Sequence, residues 1–175
     1  MTIIKAFVPF ASQHLRNTTS DDLRGTGLEP FRGSVQQRAM QQTAAPNHAM
    51  AKALLFVGCR SQTKDRLYAE DFDLWQKQGV VDIRYAFSRE MRDSDDCAFV
   101  HERISVDRED ISDLWEQGAR IYVCGSTEFV TGVGDTARQV VNGRLAQRGI
   151  AISNKELEER FQTQITDRCS TDIFG

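Results

Sequence analysis

Three short segments carry side chains suited to gripping a phosphorylated ligand and to polar chemistry beside it. Each follows a β-rich run: Gly58-Cys59-Arg60-Ser61 after Ala53 to Val57, Ser88-Arg89 after Val80 to Phe87, and Cys124-Gly125-Ser126 after Arg120 to Val123. In an open parallel sheet, ligands bind outside the carboxyl ends of the strands, because helix N-termini and loop amides converge there. A fourth segment, Gly25-Thr26-Gly27-Leu28-Glu29-Pro30, is a turn before a helix, and its glycines let backbone amides come close to a phosphate. Together the four point to a nucleotide site. Each has a plainer reading when taken singly. A Gly-x-Gly turn is a weak signal, arginines such as Arg60 and Arg89 are usually solvated, and Cys124 is by default a buried core thiol. Ser88 can cap a turn, and Asp172 and Phe174 belong to a terminal tail.

Those loops need a scaffold that sets strand ends side by side. From residue 53 onward, β-rich runs alternate with amphipathic stretches, the pattern of βαβ units around a parallel sheet. Asp65 to Gln78 carries Leu67, Tyr68, Phe72 and Trp75 on one helical stripe, with Gly79 placed to end it in a left-handed cap. After a polar, charged segment, Asp107 can cap a helix bearing Ile111, Leu114 and Trp115, stopped by Gly118. Phe129, Val130, Val133, Ala137, Val140, Val141 and Leu145 predict a long helix ending near Gly149. Ser153 to Glu156 is a capping box for a last helix with Leu157, Phe161 and Ile165. In the first fifty residues only Phe31 to Gln42 reads as a helix. Residues 1–24 form an irregular segment, and one domain covers 25–175.

Composition narrows the partners. The 175 residues, 40% hydrophobic and 27% charged, suffice for about one domain with a buried core. A net charge of −3 gives no footprint for nucleic acid or anionic membrane. No apolar run reaches the roughly 20 residues that span a bilayer, and Met1 to Ala11, broken by Lys5 and Pro9, is a poor secretory signal. A cytoplasmic chain with reduced thiols is expected. Cys59, Cys97, Cys124 and Cys169 form no C-x-x-C pair, and His14, His48 and His101 are scattered, so no metal site is expected.

Five motifs occur in one order: Gly-Thr-Gly-Leu-x-Pro-Phe-Arg-Gly at 25 to 33, Val-Gly-Cys-Arg-Ser with Asp-x-Leu-Tyr-x-Glu at 57 to 70, Ala-Phe-Ser-Arg-Glu at 86 to 90, Ile-Tyr-Val-Cys-Gly at 121 to 125, and Thr-Asp-Ile-Phe at 171 to 174. In this the chain resembles the NADPH-binding domain of the diflavin reductase family, of the NADPH-cytochrome P-450 reductase type. It is most similar to the reductase end of fungal self-sufficient cytochrome P-450 monooxygenases. The resemblance implies a ferredoxin reductase-like fold: a three-layer α/β sandwich on a doubly wound, mostly parallel sheet of about four or five strands.

It also implies roles. Gly25, Thr26, Gly27 and Pro30 match the loop that holds the cofactor pyrophosphate, Ser88 and Arg89 the pair on the adenosine 2′-phosphate, and Arg60 a further cofactor-facing cation. Gly125 and Ser126 fall in the cofactor-binding turn after the third strand. Cys124 matches the cysteine beside the nicotinamide, Asp172 the carboxylate completing its polar surroundings, and Phe174 the aromatic residue that covers the flavin ring. The implied activity is transfer of hydride from NADPH to FAD, with electrons then passing through FMN to a haem protein. FAD and FMN would come only through domains supplied in cis or in trans. The alternatives are a free-standing NADP(H)-binding module and a nonfunctional truncated product.

Departures from the family pattern carry expectations too. Ala98-Phe99 replaces a lysine and a tyrosine of the 2′-phosphate segment, which weakens the case for NADPH over NADH. Glu29 stands where a small residue is usual, and a carboxylate facing the pyrophosphate loop would weaken phosphate binding. Upstream of Gly25 the polar stretch Asn17 to Arg24 offers no buried strand, so the first strand is missing or displaced to Ile3 to Val8. The flavin-binding motifs and a haem-ligand cysteine motif are not found in the chain.

Overall fold

The computed structural model describes residues 28–47, 50–147, 159 and 168–173. Five α-helices, one short 3-10 helix (Met91–Ser94) and four strands are placed there: α1 Glu29–Ala44, β1 Leu54–Cys59, α2 Ala69–Lys77, β2 Asp82–Phe87, α3 Val100–Val106, α4 Arg108–Glu116, β3 Ile121–Gly125, α5 Thr127–Gln147 and β4 Cys169–Ile173. The segment of residues 1–24, the displaced strand at Ile3 to Val8, the helix stop at Gly149 and the last helix from Ser153 all lie outside the described residues.

The continuous apolar run of β1 is buried on both faces, with Leu54, Leu55 and Phe56 at 0% exposure. Its side chains alternate between two cores. Leu55, Val57 and Cys59 join Phe31 and Val35 of α1 and Phe72 and Trp75 of α2. Leu54 and Phe56 join Ile104 of α3, Ile111 and Trp115 of α4, and Val133 of α5. β3 divides in the same way, with Cys124 in the first core and Ile121 and Val123 in the second. Strands feeding two cores from alternate residues are what parallel sheets covered on both faces require.

Both strand pairs are parallel. β1 pairs with β2 from Leu54 opposite Asp82 to Cys59 opposite Phe87, and β3 pairs with β4 from Ile121 opposite Cys169 to Gly125 opposite Ile173. Among the described residues these are two separate two-stranded sheets, not the single larger sheet expected from sequence.

Helix ends follow the glycines. At Gly79 (φ 70°) the N–H of Gly79 donates to Gln76 O and that of Val80 to Trp75 O; at Gly118 (φ 87°) Gly118 donates to Trp115 O and Ala119 to Leu114 O. This is the paired-bond, left-handed stop that glycine permits. Helix starts diverge from the sequence reading. α2 begins at Ala69 and not Asp65, because the Asp65 carboxylate is bound in the preceding loop and Tyr68 sits in the left-handed region at φ 55°. The polar segment before Asp107 is the helix α3. It buries Val100 and Ile104, while Glu102 Oε2 accepts from the N–H groups of Ala98 (2.8 Å) and Phe99 (3.0 Å). Asp107 precedes α4 as expected, but its carboxylate takes Arg103 Nε at 2.6 Å and caps no backbone amide. α1 runs two residues beyond the expected Phe31–Gln42 helix at each end. Its buried Arg38 donates to Val80 O (3.1 Å) and Ala51 O (2.6 Å), tying α1 to the segments that enter β2 and β1.

Candidate functional site

The parallel ladder continues past the ends of β1 and β2. Ser88 N donates to Cys59 O and Arg89 N to Arg60 O, each at 3.0 Å, so the loops bearing Arg60 and Arg89 run side by side. Asp65 shapes the first loop. Its Oδ2 accepts from Arg60 N (3.1 Å) and Arg60 Nε (2.7 Å), and its Oδ1 from Ser61 N (2.9 Å). Burial pushes the Asp65 carboxyl up, but the hydrogen bonds from the Arg60 side chain and from the Arg60 and Ser61 amides outweigh it and hold the group below its ordinary value. Glu90 Oε2 braces the same loop by accepting from Gln62 N at 2.7 Å. Arg66 closes its far end, lying 4.5 Å over the Tyr85 ring, donating to Tyr85 Oη at 3.1 Å and pairing with Asp73. Ser88, Arg60 and Arg89 are all exposed on this rim.

The exposed ring of Phe99 stacks on His101 at 5.7 Å, with an interplanar angle of 7°. Cys97 O accepts from Phe87 N at 3.1 Å, which fixes the segment leading into α3 at the C-terminal end of β2.

At the end of β3, Cys124 and Gly125 are buried and Ser126 is half-buried. The Phe129 ring of α5 packs so closely that a Cβ on Gly125 would lie 2.7 Å from it, so any larger residue would force the ring or the strand end to shift. β4 runs alongside, with Asp172 the Cα partner of Cys124. As far as Ile173, the terminal tail that bears Asp172 is therefore a strand. Cys59, in the same core as Cys124, has its thiol pushed up to about 12 by burial and then by Asp65, which keeps it neutral.

The N-terminus of α1 lies near that of α2. Pro30 occupies the first turn of α1, and Leu28 just before it is buried in the core that holds Cys59 and Cys124. Glu29 is exposed, and its Oε1 accepts from Tyr68 Oη at 3.1 Å. Arg32 lies 4.9 Å over the Tyr68 ring and pairs with Asp71 at 2.7 Å. Tyr68 thus ties the two helix starts together. Gly25, Thr26, Gly27 and Phe174 lie outside the described residues.

The structure therefore brings Arg60 to Ser88-Arg89, and Cys124 to Asp172. Sequence reasoning gave Asp65 and Tyr68 only places on the second helix, which in fact begins after both, and gave Glu90 no part in the site. The Asp-x-Leu-Tyr-x-Glu motif contained the first two, and their partners follow only from the fold. Among the described residues no helix is long and apolar enough to cross a membrane.

Comparison with known proteins bears out the family resemblance read from the sequence. The oxidoreductase NAD-binding domain family matches residues 24–135. A bifunctional cytochrome P-450/NADPH–P-450 reductase of Fusarium oxysporum is 39% identical over 150 residues, 86% of this chain and 14% of that protein. A self-sufficient cytochrome P-450 monooxygenase of Phanerodontia chrysosporium is 38% identical over 151 residues, covering 86% of this chain and 14% of that one. A bifunctional cytochrome P-450/NADPH–P-450 reductase of Aspergillus oryzae is 34% identical over 172 residues, again 86% of this chain, and 15% of its own length. The chain thus spans about one seventh of the length of these relatives. It belongs to the oxidoreductase NAD-binding domain family, and is homologous to the reductase part of the fungal fusions of a cytochrome P-450 with its reductase.

Proposed function

We propose that this chain is the NADP(H)-binding part of a flavoprotein reductase, a domain over residues 25–175 that presents NADPH to an FAD held by another domain, in cis or in trans. The observation that carries the reading is the side-by-side placement of Arg60 and Arg89 at adjoining strand ends. Two exposed guanidinium groups with a serine hydroxyl suit a phosphate dianion, since a planar fork of donors matches its oxygens. Gly25, Thr26, Gly27 and Pro30 would take the pyrophosphate at the start of α1, and Gly125 and Ser126 would line the approach at the start of α5. The fold reading that accompanies this is the three-layer, doubly wound sandwich. Its support is the two-sided burial of β1 and β3, with α1 and α2 on one core and α3, α4 and α5 on the other.

The cofactor supplies the hydride, and this chain's residues would orient it. Cys124 and Asp172, paired across β3 and β4, would flank the nicotinamide, with the Asp172 carboxylate balancing charge that develops as hydride leaves. Phe174 would cover the flavin face. Electrons would then pass singly through FMN to a haem protein. Calorimetry with NADP⁺ and NAD⁺, followed by flavin reduction with an FAD domain added in trans, tests the reading. Binding of NADP⁺ with no reduction under any complementation would favour a free-standing binding module. No binding of either nucleotide would overturn the proposal.

A further inference from the structure

We infer that Arg168 is the positioning residue that sets the register of β4 and thereby holds Asp172 opposite Cys124; its importance for chemistry rests on the reading of those two residues given above. β4 has little of its own to fix its register. Among residues 169–171, Ser170 and Thr171 are exposed and only the half-buried Cys169 packs against the second core, so this part of the strand sets a small apolar penalty on a slip along β3. Arg168, one residue before the first paired position, is held firmly. Its Nε donates to Ala119 O at 3.0 Å, and its Nη2 donates to Trp115 O and Ala119 O, each at 2.6 Å. The guanidinium also lies 3.7 Å over the Trp115 ring.

The anchor is rigid. Trp115 and Ala119 both belong to the buried core, and the glycine stop at Gly118 fixes their carbonyls at the end of α4, two residues before β3 begins. The device occurs twice in the fold. Arg38 Nε takes Val80 O just after the Gly79 stop, in the place where Arg168 Nε takes Ala119 O just after Gly118. In both, an arginine fork reads the carbonyl of the residue that leads out of a glycine-stopped helix towards a strand. A guanidinium can hold two carbonyls in a fixed relation, whereas an ammonium is a single point donor group. The position of Arg168 therefore fixes which residue of β4 meets Cys124.

A disulfide trap in the full 175-residue chain tests the register without relying on activity. Cα partners on neighbouring strands fall within disulfide reach, whereas residues displaced by two positions do not. In an Asp172→Cys parent, oxidised glutathione should link the introduced thiol to Cys124, as read by peptide mass mapping. Adding Arg168→Gln should slow that link by at least about 10-fold, the scale expected for losing hydrogen bonds from a charged donor. Arg168→Lys should fall between the two, and it decides the matter should Arg168→Gln fail to fold. An undiminished rate in the folded Arg168 variants, or no link in a folded parent, overturns the inference. NADP⁺ calorimetry on Arg168→Gln alone should show no greater loss of affinity than Asp172→Asn. If the link depends on Arg168 but no form of the chain binds NADP⁺, the positioning role stands and the cofactor reading falls.

Discussion

Replacing Asp65 by asparagine should destabilise the protein by about 3 kcal/mol near pH 7. The carboxylate side chain is only 8% exposed, and its two oxygens accept three hydrogen bonds, from Arg60 N, Arg60 Nε and Ser61 N. Asparagine keeps one acceptor oxygen and puts an NH₂ group against a donor. One charge-assisted bond to a backbone amide is lost, about 1.5–3 kcal/mol, and the other is weakened to a neutral bond. The ion pair adds at most about 1 kcal/mol, because the Arg60 side chain is 47% exposed and solvent screens it. For a domain of this size the sum corresponds to a fall in Tm of roughly 6–12 °C. The pH dependence carries the sign. Since the folded state holds the Asp65 carboxyl below its ordinary value, its contribution is complete above the unfolded-state value near pH 4 and is lost as pH falls through the folded-state value. Urea unfolding of the native chain and of Asp65→Asn at pH 7 and at steps down to pH 3 would measure both. A gap that is absent at pH 7, or that widens on acidification, refutes the reasoning.

Arg89→Ala should cost about 1.5–3 kcal/mol in NADP⁺ binding and spare NAD⁺, as read by calorimetry; equal losses for both would place Arg89 away from the 2′-phosphate. In a complemented, flavin-reducing complex, Cys124→Ala and Asp172→Asn should each slow reduction by about 10-fold to 1000-fold at saturating NADPH with smaller effects on affinity, and unchanged stopped-flow rates would remove both from the reacting centre. Gly125→Ala should cost about 1–3 kcal/mol of stability, because the new methyl meets the Phe129 ring at 2.7 Å, and thermal melting showing no loss would mean that the ring yields freely.

The strands β1 and β3 were legible as apolar runs and β2 by the alternation of Ile83, Tyr85 and Phe87 with Asp82 and Arg84, and in β1 a run without alternation announces burial on both faces. The stops at Gly79 and Gly118 were legible because a left-handed cap leaves a residue-specific mark. α3 was not, since its seven residues show only Val100 and Ile104 as core and its Arg103 is buried only because Asp107 and Asp95 take the charge. β4 was not legible because Cys169 and Ile173 are its only apolar residues, too few to announce a strand, and the Arg168 contacts with Trp115 and Ala119 that precede it are long-range. The site was legible to the extent that strand-end loops could be located. The contacts that shape those loops could not be, because Tyr68 and Glu29 stand 39 residues apart and Gln62 and Glu90 28 apart, and no local pattern encodes such a meeting.

The two parallel pairs differ in how much chain must be closed to form them. β1 meets β2 across one short helix, so that unit with α2 can assemble early from nearby residues. β3 meets β4 only after the whole of α5 and the residues beyond it have been gathered in, and pairings of greater sequence separation form more slowly because the loop entropy is lost before contacts repay it. Folding should therefore raise the Arg60 and Arg89 rim first and bring Asp172 to Cys124 last. In hydrogen exchange this would leave the amides of β4 opening at a lower free energy than those of β1, so the rim bearing Arg60 and Arg89 would persist while the end where Asp172 meets Cys124 would be the first to let go.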